Sequence, residues 1–204
     1  MSSIDLKDFE KHIFLRTIRP EDYDNIVNLQ LRCFPGMKPW SKDQLTSQLT
    51  IFPEGQVCVE FDGRIVASAS SLILDFDLYR DWHSWKEIAD GGFISNHDPH
   101  GNTLYGIEIM VDPDFRGSKL ARRLYDARKR LARERNLMRI ILGGRIPGYA
   151  AHADKLTARE YVDRVISKIL VDPVLTTQLS NGFILKRLIP NYLTSDKESR
   201  GNAT

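Results

Sequence analysis

The sequence predicts an α/β (α+β) domain built around one sheet, and three observations predict it. Leu104 to Val111 is a run of aliphatic and β-branched residues closed by the Asp112-Pro113 turn signal. Apolar residues then recur at helical spacing from Leu120 onward. Two further strand-like runs, Gln56 to Phe61 and Arg64 to Leu74, are joined through Asp62-Gly63, the strongest short hairpin signal in the chain.

The elements follow in order. Ile13 to Ile18 alternates as a first strand, and Pro20-Glu21-Asp22 opens a helix through Ile26, Leu29 and Cys33. Ser41 with Gln44 three residues later forms a capping box for a second helix carrying Leu45 and Leu49. After the hairpin and the Leu104–Val111 strand comes the helix that begins near Leu120, and Arg139 to Leu142 supplies another strand. Thr157 and Glu160 make a second capping box, with a Leu156/Tyr161 staple, for a helix through Val162, Val165, Ile166, Ile169 and Leu170. Phe183 to Leu188, introduced by Asn181-Gly182, reads as a late strand. There are no internal repeats.

The stretch from Thr103 to Arg135 carries the most chemistry. A strand delivers the chain to a turn at Arg116-Gly117-Ser118, and a helix follows at once, so unpaired backbone N–H groups converge where the helix dipole is positive. A pyrophosphate would fit there. Leu120, Leu124, Ala127 and Leu131 form a packing face, while ten Lys or Arg lie between Arg116 and Arg139 against only Asp126 and Glu134. The distal cations read equally as a solvated helix face; Arg116, Lys119 and Arg122 stand at the turn itself.

This segment resembles the acetyl-coenzyme A binding motif of the GNAT acyltransferase superfamily, written R/Q-x-x-G-x-G/A. Arg116 takes the first position and Ala121 the last, and Lys119 stands where the central Gly is usual. The order of elements over about residues 10–193 also resembles the GNAT fold. That resemblance implies a central mixed, mostly antiparallel twisted sheet of six to seven strands, flanked by helices and splayed between the fourth and fifth. It further implies one acyltransferase domain over residues 1–194 with an insertion at 75–102, leaving 195–204 as a polar tail or linker.

The resemblance implies an acyl-CoA co-substrate, acetyl-CoA first, held by Ile109, Met110 and Val111 on the strand and by Arg116, Gly117, Ser118, Lys119, Leu120, Ala121 and Arg122 at the turn. Many GNAT enzymes use a Glu of the fourth strand as base. Glu108 stands in an otherwise apolar run, where a carboxylate has a raised pKa unless a cation pairs with it, so it reads either as that base or as half of a structural ion pair. The family's frequent Tyr before the late Gly-Phe pair is Gln178 here. Tyr149, in the Gly143–Lys155 loop after the fifth strand, is therefore the candidate acid, and Tyr161 reads as core. The same loop offers Arg145 as a substrate contact; the aromatic Asp75–Asn102 segment offers Trp82 and Trp85. His83, His97, Asp98 and His100 match no recognised ligand spacing, and no metal is expected.

A second resemblance lies in DWHSWKEIADGG, GGRIPGY and the stretch from Asp172 to Ser199. Together these look like the amino-terminal GNAT domain of longer bacterial proteins that continue into a nitrilase-type carbon–nitrogen hydrolase domain. The implied function is transfer of acetyl from acetyl-CoA to a primary amine, on a small molecule or on a protein or peptide. The alternative is a CoA-binding module without catalysis, normally attached to such a hydrolase.

Composition bounds the rest. With 204 residues, 42% of them hydrophobic, one sizeable core can be buried, and a net charge of +2 does not ask for a nucleic-acid partner. No apolar run approaches the roughly 20 residues that span a bilayer, and the MSSIDLKDFEKH start lacks a secretory apolar region. A cytoplasmic protein that is free to form a homodimer is expected. Cys33 and Cys58 lie in apolar neighbourhoods and read as reduced core thiols.

Overall fold

The strand-like runs pair as their patterns require. The computed structural model describes residues 12–79 and 82–204; the reading of residues 1–11 as free of a secretory region lies outside the described residues. Strands β1 (Ile13–Thr17), β2 (Gln56–Phe61), β3 (Arg64–Leu74), β4 (Thr103–Val111) and β5 (Arg139–Leu142) form one sheet in the order β1-β2-β3-β4-β5. The first four are antiparallel and β5 lies parallel to β4. This is the mixed, mostly antiparallel sheet expected, with five strands among the described residues instead of six or seven. Phe183–Leu188 forms no strand ladder; its side chains alternate between half-buried and exposed, and Ile189 beyond it makes a lone bridge to Ala203.

The chain divides into two compact units. The first runs through Phe76 and resumes over Gly92–Ile141. In it α1 (Tyr23–Cys33) follows the 3-10 turn of Pro20–Asp22, and α2 (Lys42–Ile51) starts on the expected capping box: Gln44 N donates to Ser41 Oγ at 3.1 Å and Ser41 N to Gln44 Oε1 at 2.7 Å. The longest helix, α4 (Leu120–Glu134), lays Leu120 and Leu124 on Val59, Val66, Ala67 and Ala69, with Ile109 and Val111 beside them. Each fully buried Leu contributes about 1.5–3 kcal/mol. Strand alternation sends Ser68, Ser70, Glu108 and Met110 to the opposite face, the side on which Gln30 of α1 bonds Glu108.

The second unit comprises Asp77–Gly91 and Leu142–Thr204. Its short α3 (Trp85–Ile88) has its own capping box from Ser84 and Glu87. Ile146, Tyr149, Tyr161, Val162, Val165 and Leu175 make its core, drawn from the Gly143–Lys155 loop, α5 (Ala158–Ile166) and α6 (Leu175–Ser180). The Thr157/Glu160 box opens α5 as expected, yet the helix stops at Ile166. Lys168 turns left-handed, φ 60°, while Ile169 N bonds Arg164 O and Lys168 N bonds Val165 O. That is a Schellman stop made without glycine. Ile169, expected on the packed face, is consequently 70% exposed.

Ser195–Thr204, read from the sequence as a polar tail or linker, is built into this second unit. Asp196 accepts both arms of the Arg145 guanidinium at 2.7 and 2.6 Å, Glu198 accepts a third bond at 2.7 Å, and Thr204 exchanges backbone bonds with Gly144. Asp172, fully buried, gathers four donors: Tyr161 Oη at 2.9 Å and the backbone N of Gly148, Val174 and Leu175 at 2.9–3.0 Å. No helix among the described residues is long and apolar enough to cross a membrane.

Four donors on one buried carboxylate make a specific stability prediction. Asp172→Ala strands them all and should lower the unfolding free energy by about 3 kcal/mol, whereas Tyr161→Phe should cost only about 1 kcal/mol. Urea unfolding of the two variants measures this, and equal effects would show that the hydroxyl alone matters.

Candidate active site

The expected anion turn is formed by backbone conformation. Asp112 caps the 3-10 turn Pro113–Phe115 by accepting Asp114 N at 3.0 Å, and it is held by Arg32 at 2.9 Å and by Arg64. Burial would raise the Asp112 pKa, but these donors and cations hold it below the usual carboxylate range. The chain then passes Arg116 in extended conformation and Gly117 at φ 86°, which glycine alone adopts at no cost. Ser118 Oγ closes the turn onto Phe115 O.

Lys119, in the place of the motif's central Gly, is left-handed at φ 62° and ψ 16° and stands as N-cap of α4. It therefore keeps the backbone that glycine would supply. It provides no side-chain capping bond, and the first turn of α4 has no acidic residue. The N–H groups of the first turn face a site bordered by Arg116, Lys119 and Arg122, all exposed. None of these three forms a salt bridge among the described residues. A Cβ built on Gly117 would meet nothing within 4 Å, so the hollow is open on that side.

Ahead of the turn, the outer edge of β4 pairs with no strand other than β5 among the described residues. Asp112 N bonds Val66 O, which fixes the phase of the ladder: Met110 and Glu108 direct their backbone groups to β3, and Ile109 and Val111 direct theirs away from it. On that outer side β5 enters at Met138 N–Asn102 O and is only four residues long, so it has run out before Glu108. The splay expected between the fourth and fifth strands corresponds to this end of β5. Val111 O accepts the Cys33 thiol at 3.2 Å. Burial pushes that thiol to about 11 and the Cys58 thiol to about 12, as reduced structural cysteines require.

Glu108 lies where the β3–β4 register slips. Ser70 pairs with Glu108 but Ser71 pairs with Gly106, so Ile107 is an extra residue and β4 bulges. Glu108 is half-buried as a residue, but its Oε1 is shut from solvent, and burial raises its pKa to about 8 against the opposing pull of Arg128, the Trp40 indole and Ser68. Oε2 accepts from Gln30 Nε2 at 3.0 Å, while Oε1 makes no hydrogen bond of ordinary geometry. Gln30 Oε1 in turn accepts Trp40 N at 2.8 Å.

Three contributors were not singled out in the sequence: Gln30, Trp40 and Arg128. Arg128 counted there as one of the cations of a basic face. It is instead buried, donating to Ser71 Oγ at 3.0 Å, Ser70 O at 2.8 Å and Glu108 O. A signal existed, because Arg128 falls four residues after Leu124, on the packed stripe of α4.

Of the other sequence candidates, Trp82, Trp85, Arg145, Tyr149 and Tyr161 belong to the second unit, and His97 to the first. Trp82 is 62% exposed, and Trp85 begins α3 with its N bonded to Tyr192 O at 2.7 Å. Arg145 is engaged by Asp196 and Glu198 as described. Tyr149 is buried in that unit's core with its hydroxyl donating to Leu156 O at 3.2 Å. Gln178 is also buried there, against Gly144, and Tyr161 is core as expected. His97 accepts Ile73 N at 3.0 Å and stacks on Phe52 at 4.5 Å.

The chain is similar to known proteins in sequence and in fold. Probable hydrolase YhcX of Bacillus subtilis (strain 168) is 52% identical over 201 residues, covering 98% of this chain and 39% of that protein. The chain thus spans well under half the length of that relative. Uncharacterized N-acetyltransferase YkwB of the same organism is 39% identical over 189 residues, covering 91% of this chain and 83% of that one. Among solved structures, GphF GNAT-like decarboxylase in complex with isobutyryl-CoA superposes with a TM-score of 0.79 at 26% identity, over 93% of this chain and 95% of that one. Residues 23–153, which include β4, the turn and α4, match the model of the acetyltransferase (GNAT) family, and the chain belongs to that family.

Proposed function

We propose that the chain is an acyl-CoA-dependent N-acetyltransferase that passes acetyl from acetyl-CoA to a primary amine, with Glu108 as general base. The observation that carries this reading is the pairing of a carboxyl poised near neutrality with a strand edge that runs directly into an uncapped, cation-bordered helix start. The anion turn accounts for a pyrophosphate: first-turn N–H groups and Gly117 approach it, and Arg116, Lys119 and Arg122 neutralise it. The edge groups of Ile109 and Val111 can bond the amides of an extended pantetheine arm as a further strand would. Backbone N–H groups there also lie where a thioester oxygen would gather charge.

In the reaction, Glu108 takes the proton of the substrate ammonium, directly or through one water. The amine nitrogen then attacks the thioester carbon and the carbonyl oxygen carries the charge; as the carbonyl re-forms, the C–S bond breaks with CoA leaving as thiolate, and the nitrogen gives its extra proton to water or to that thiolate to leave the amide. Tyr149 could protonate the thiolate only by giving up its bond to Leu156; otherwise water does so. The acceptor is a small-molecule amine or a protein or peptide amino group. In longer relatives of the YhcX kind, a covalently attached hydrolase domain would be its neighbour. A cytoplasmic location and a homodimer complete the proposal.

A second reading is favoured by the GphF likeness. On a carboxyacyl-CoA, loss of CO2 leaves its electron pair as a thioester enolate, and a Glu108 protonated at neutral pH could deliver the proton to carbon. Release of CO2 from malonyl-CoA without any amine would establish this reading; CoA release that depends on an amine establishes the first.

The expectations are concrete. Glu108→Gln should leave CoA binding within about threefold and reduce turnover by about 100-fold or more. In the wild type kcat/KM should rise with pH up to about 8, because the base must be deprotonated; a flat profile, or a fully active Glu108→Gln, removes Glu108 from the role. Arg116→Glu should abolish most of the thermal stabilisation given by millimolar acetyl-CoA. Lys119→Gly should stabilise the free protein by about 1 kcal/mol, by relieving left-handed strain, while weakening CoA binding. Thermal shift with and without CoA reads both effects.

A further inference from the structure

We propose that Arg128 is a positioning residue for Glu108: from the buried face of α4 its guanidinium fastens the β4 bulge and sets the field in which the Glu108 carboxyl exchanges its proton. The inference rests on Glu108 being the site's base. Its starting point is a charge in an expensive place. An arginine that is 3% exposed must find acceptors for its fork or destabilise the fold by several kcal/mol.

The acceptors it finds are those released by the bulge. In a regular antiparallel pair the carbonyls of Ser70 and Glu108 would each receive a partner N–H. The slip between Ser70 and Ser71 disturbs that exchange, and Arg128 Nη2 donates to both carbonyls while Nε holds Ser71 Oγ. The guanidinium therefore bridges the two strands at the residue that carries the carboxyl. It fixes the direction of the peptides from Ile107 to Ile109, including the outward Ile109 N–H on the outer edge.

Its charge acts on the same residue. From α4, Arg128 acts on Glu108 across the sheet through its backbone, with Tyr125 beside the guanidinium; from α1 come the Gln30 amide and the Cys33 thiol; Trp40 approaches from between α1 and α2, and Ser68 from β3. Of these only Arg128 is a cation, so it is the main counterweight to burial. Burial lowers the Arg128 pKa to about 10, which leaves it charged throughout the neutral range. Removing that charge must raise the proton affinity of Glu108.

The test reads Glu108 directly. Carboxyl-carbon NMR of 13C-Glu-labelled protein, with the Glu108 signal assigned through Glu108→Gln, gives its titration midpoint in the wild type, Arg128→Gln and Arg128→Lys. Arg128→Gln keeps a donor but removes the charge, and should raise the midpoint by about one pH unit or more, a tenfold change in proton affinity. Arg128→Lys keeps the charge without the fork. It should hold the midpoint within about half a unit yet speed amide hydrogen exchange at Ile107 and Ile109 by about tenfold. An unmoved midpoint in Arg128→Gln, with stability alone reduced, overturns the proposal. Should Arg128→Gln fail to fold, Ser71→Ala takes its place beside Arg128→Lys: it frees one anchor of the fork, and unchanged exchange at the bulge in both overturns the proposal. A wild type that acetylates no amine while these shifts occur would retire the acetyltransferase reading and leave the positioning role standing.

Discussion

A guanidinium buried beneath a β-sheet is the constraint from which the active face of this protein follows. Arg128 reaches from α4 into the β3–β4 pair, and a charge there is tolerated only if acceptors are turned toward it. In a regular ladder each carbonyl already accepts one N–H along the pleat. The slip at Ser70/Ser71 falls at the two carbonyls that Arg128 uses, so the buried cation and the bulge meet at one place. Downstream of the slip, Glu108 and the outward backbone groups of Ile109 and Val111 take their phase from it, and that phase carries the chain into Asp112 and the anion turn.

The opposite side of Glu108 is constrained by an amide whose orientation is dictated. Trp40 N can only donate, so Gln30 must offer it Oε1, and Nε2 is left to face Glu108 Oε2. With a pKa near 8, the carboxyl is mostly protonated at neutral pH. Gln30 donates to Oε2, and the Trp40 indole and Ser68 stand near the same carboxyl, surroundings that suit the proposed proton-transfer role better than a structural ion pair. Arg128 bonds the backbone of Glu108 and acts on its carboxyl only through space, so the pair is not a salt bridge in geometry.

What the sequence made legible was whatever depends on neighbours close in the chain. The Gln56–Phe61 and Arg64–Leu74 hairpin, the β5 bounds and the Ser41/Gln44 and Thr157/Glu160 boxes all appear as read, because turn chemistry and caps are local. Long-range effects were not legible. Phe183–Leu188 has strand composition but no ladder, and composition cannot supply a partner. Ser195–Thr204 looked like a tail since it is polar, yet Asp196 is buried because Arg145, fifty-one residues earlier, neutralises it. Arg128 was hidden for the mirror reason: among so many exposed cations one more carries no local mark, and only its place on the Leu124 stripe betrays it.

Lys119 gives the strongest physical argument that the turn is built for an anion. An L-residue held left-handed costs about 1–2 kcal/mol relative to glycine, and a cation at a helix N-terminus is opposed by the macrodipole, as is Arg122 within the first turn. Neither cost is relieved inside the protein, since the cap supplies no side-chain bond, the first turn has no acid, and Arg116, Lys119 and Arg122 have no salt bridge among the described residues. Three unpaired cations and a run of free N–H groups thus converge where the fold alone would favour Asp or Ser. A bound polyanion reverses the sign of every one of these electrostatic terms at once. On the proposed reading, the cost of Lys119 in the protein alone is offset when an anion binds, so the lysine that weakens the motif as a pattern favours the turn as the proposed phosphate site.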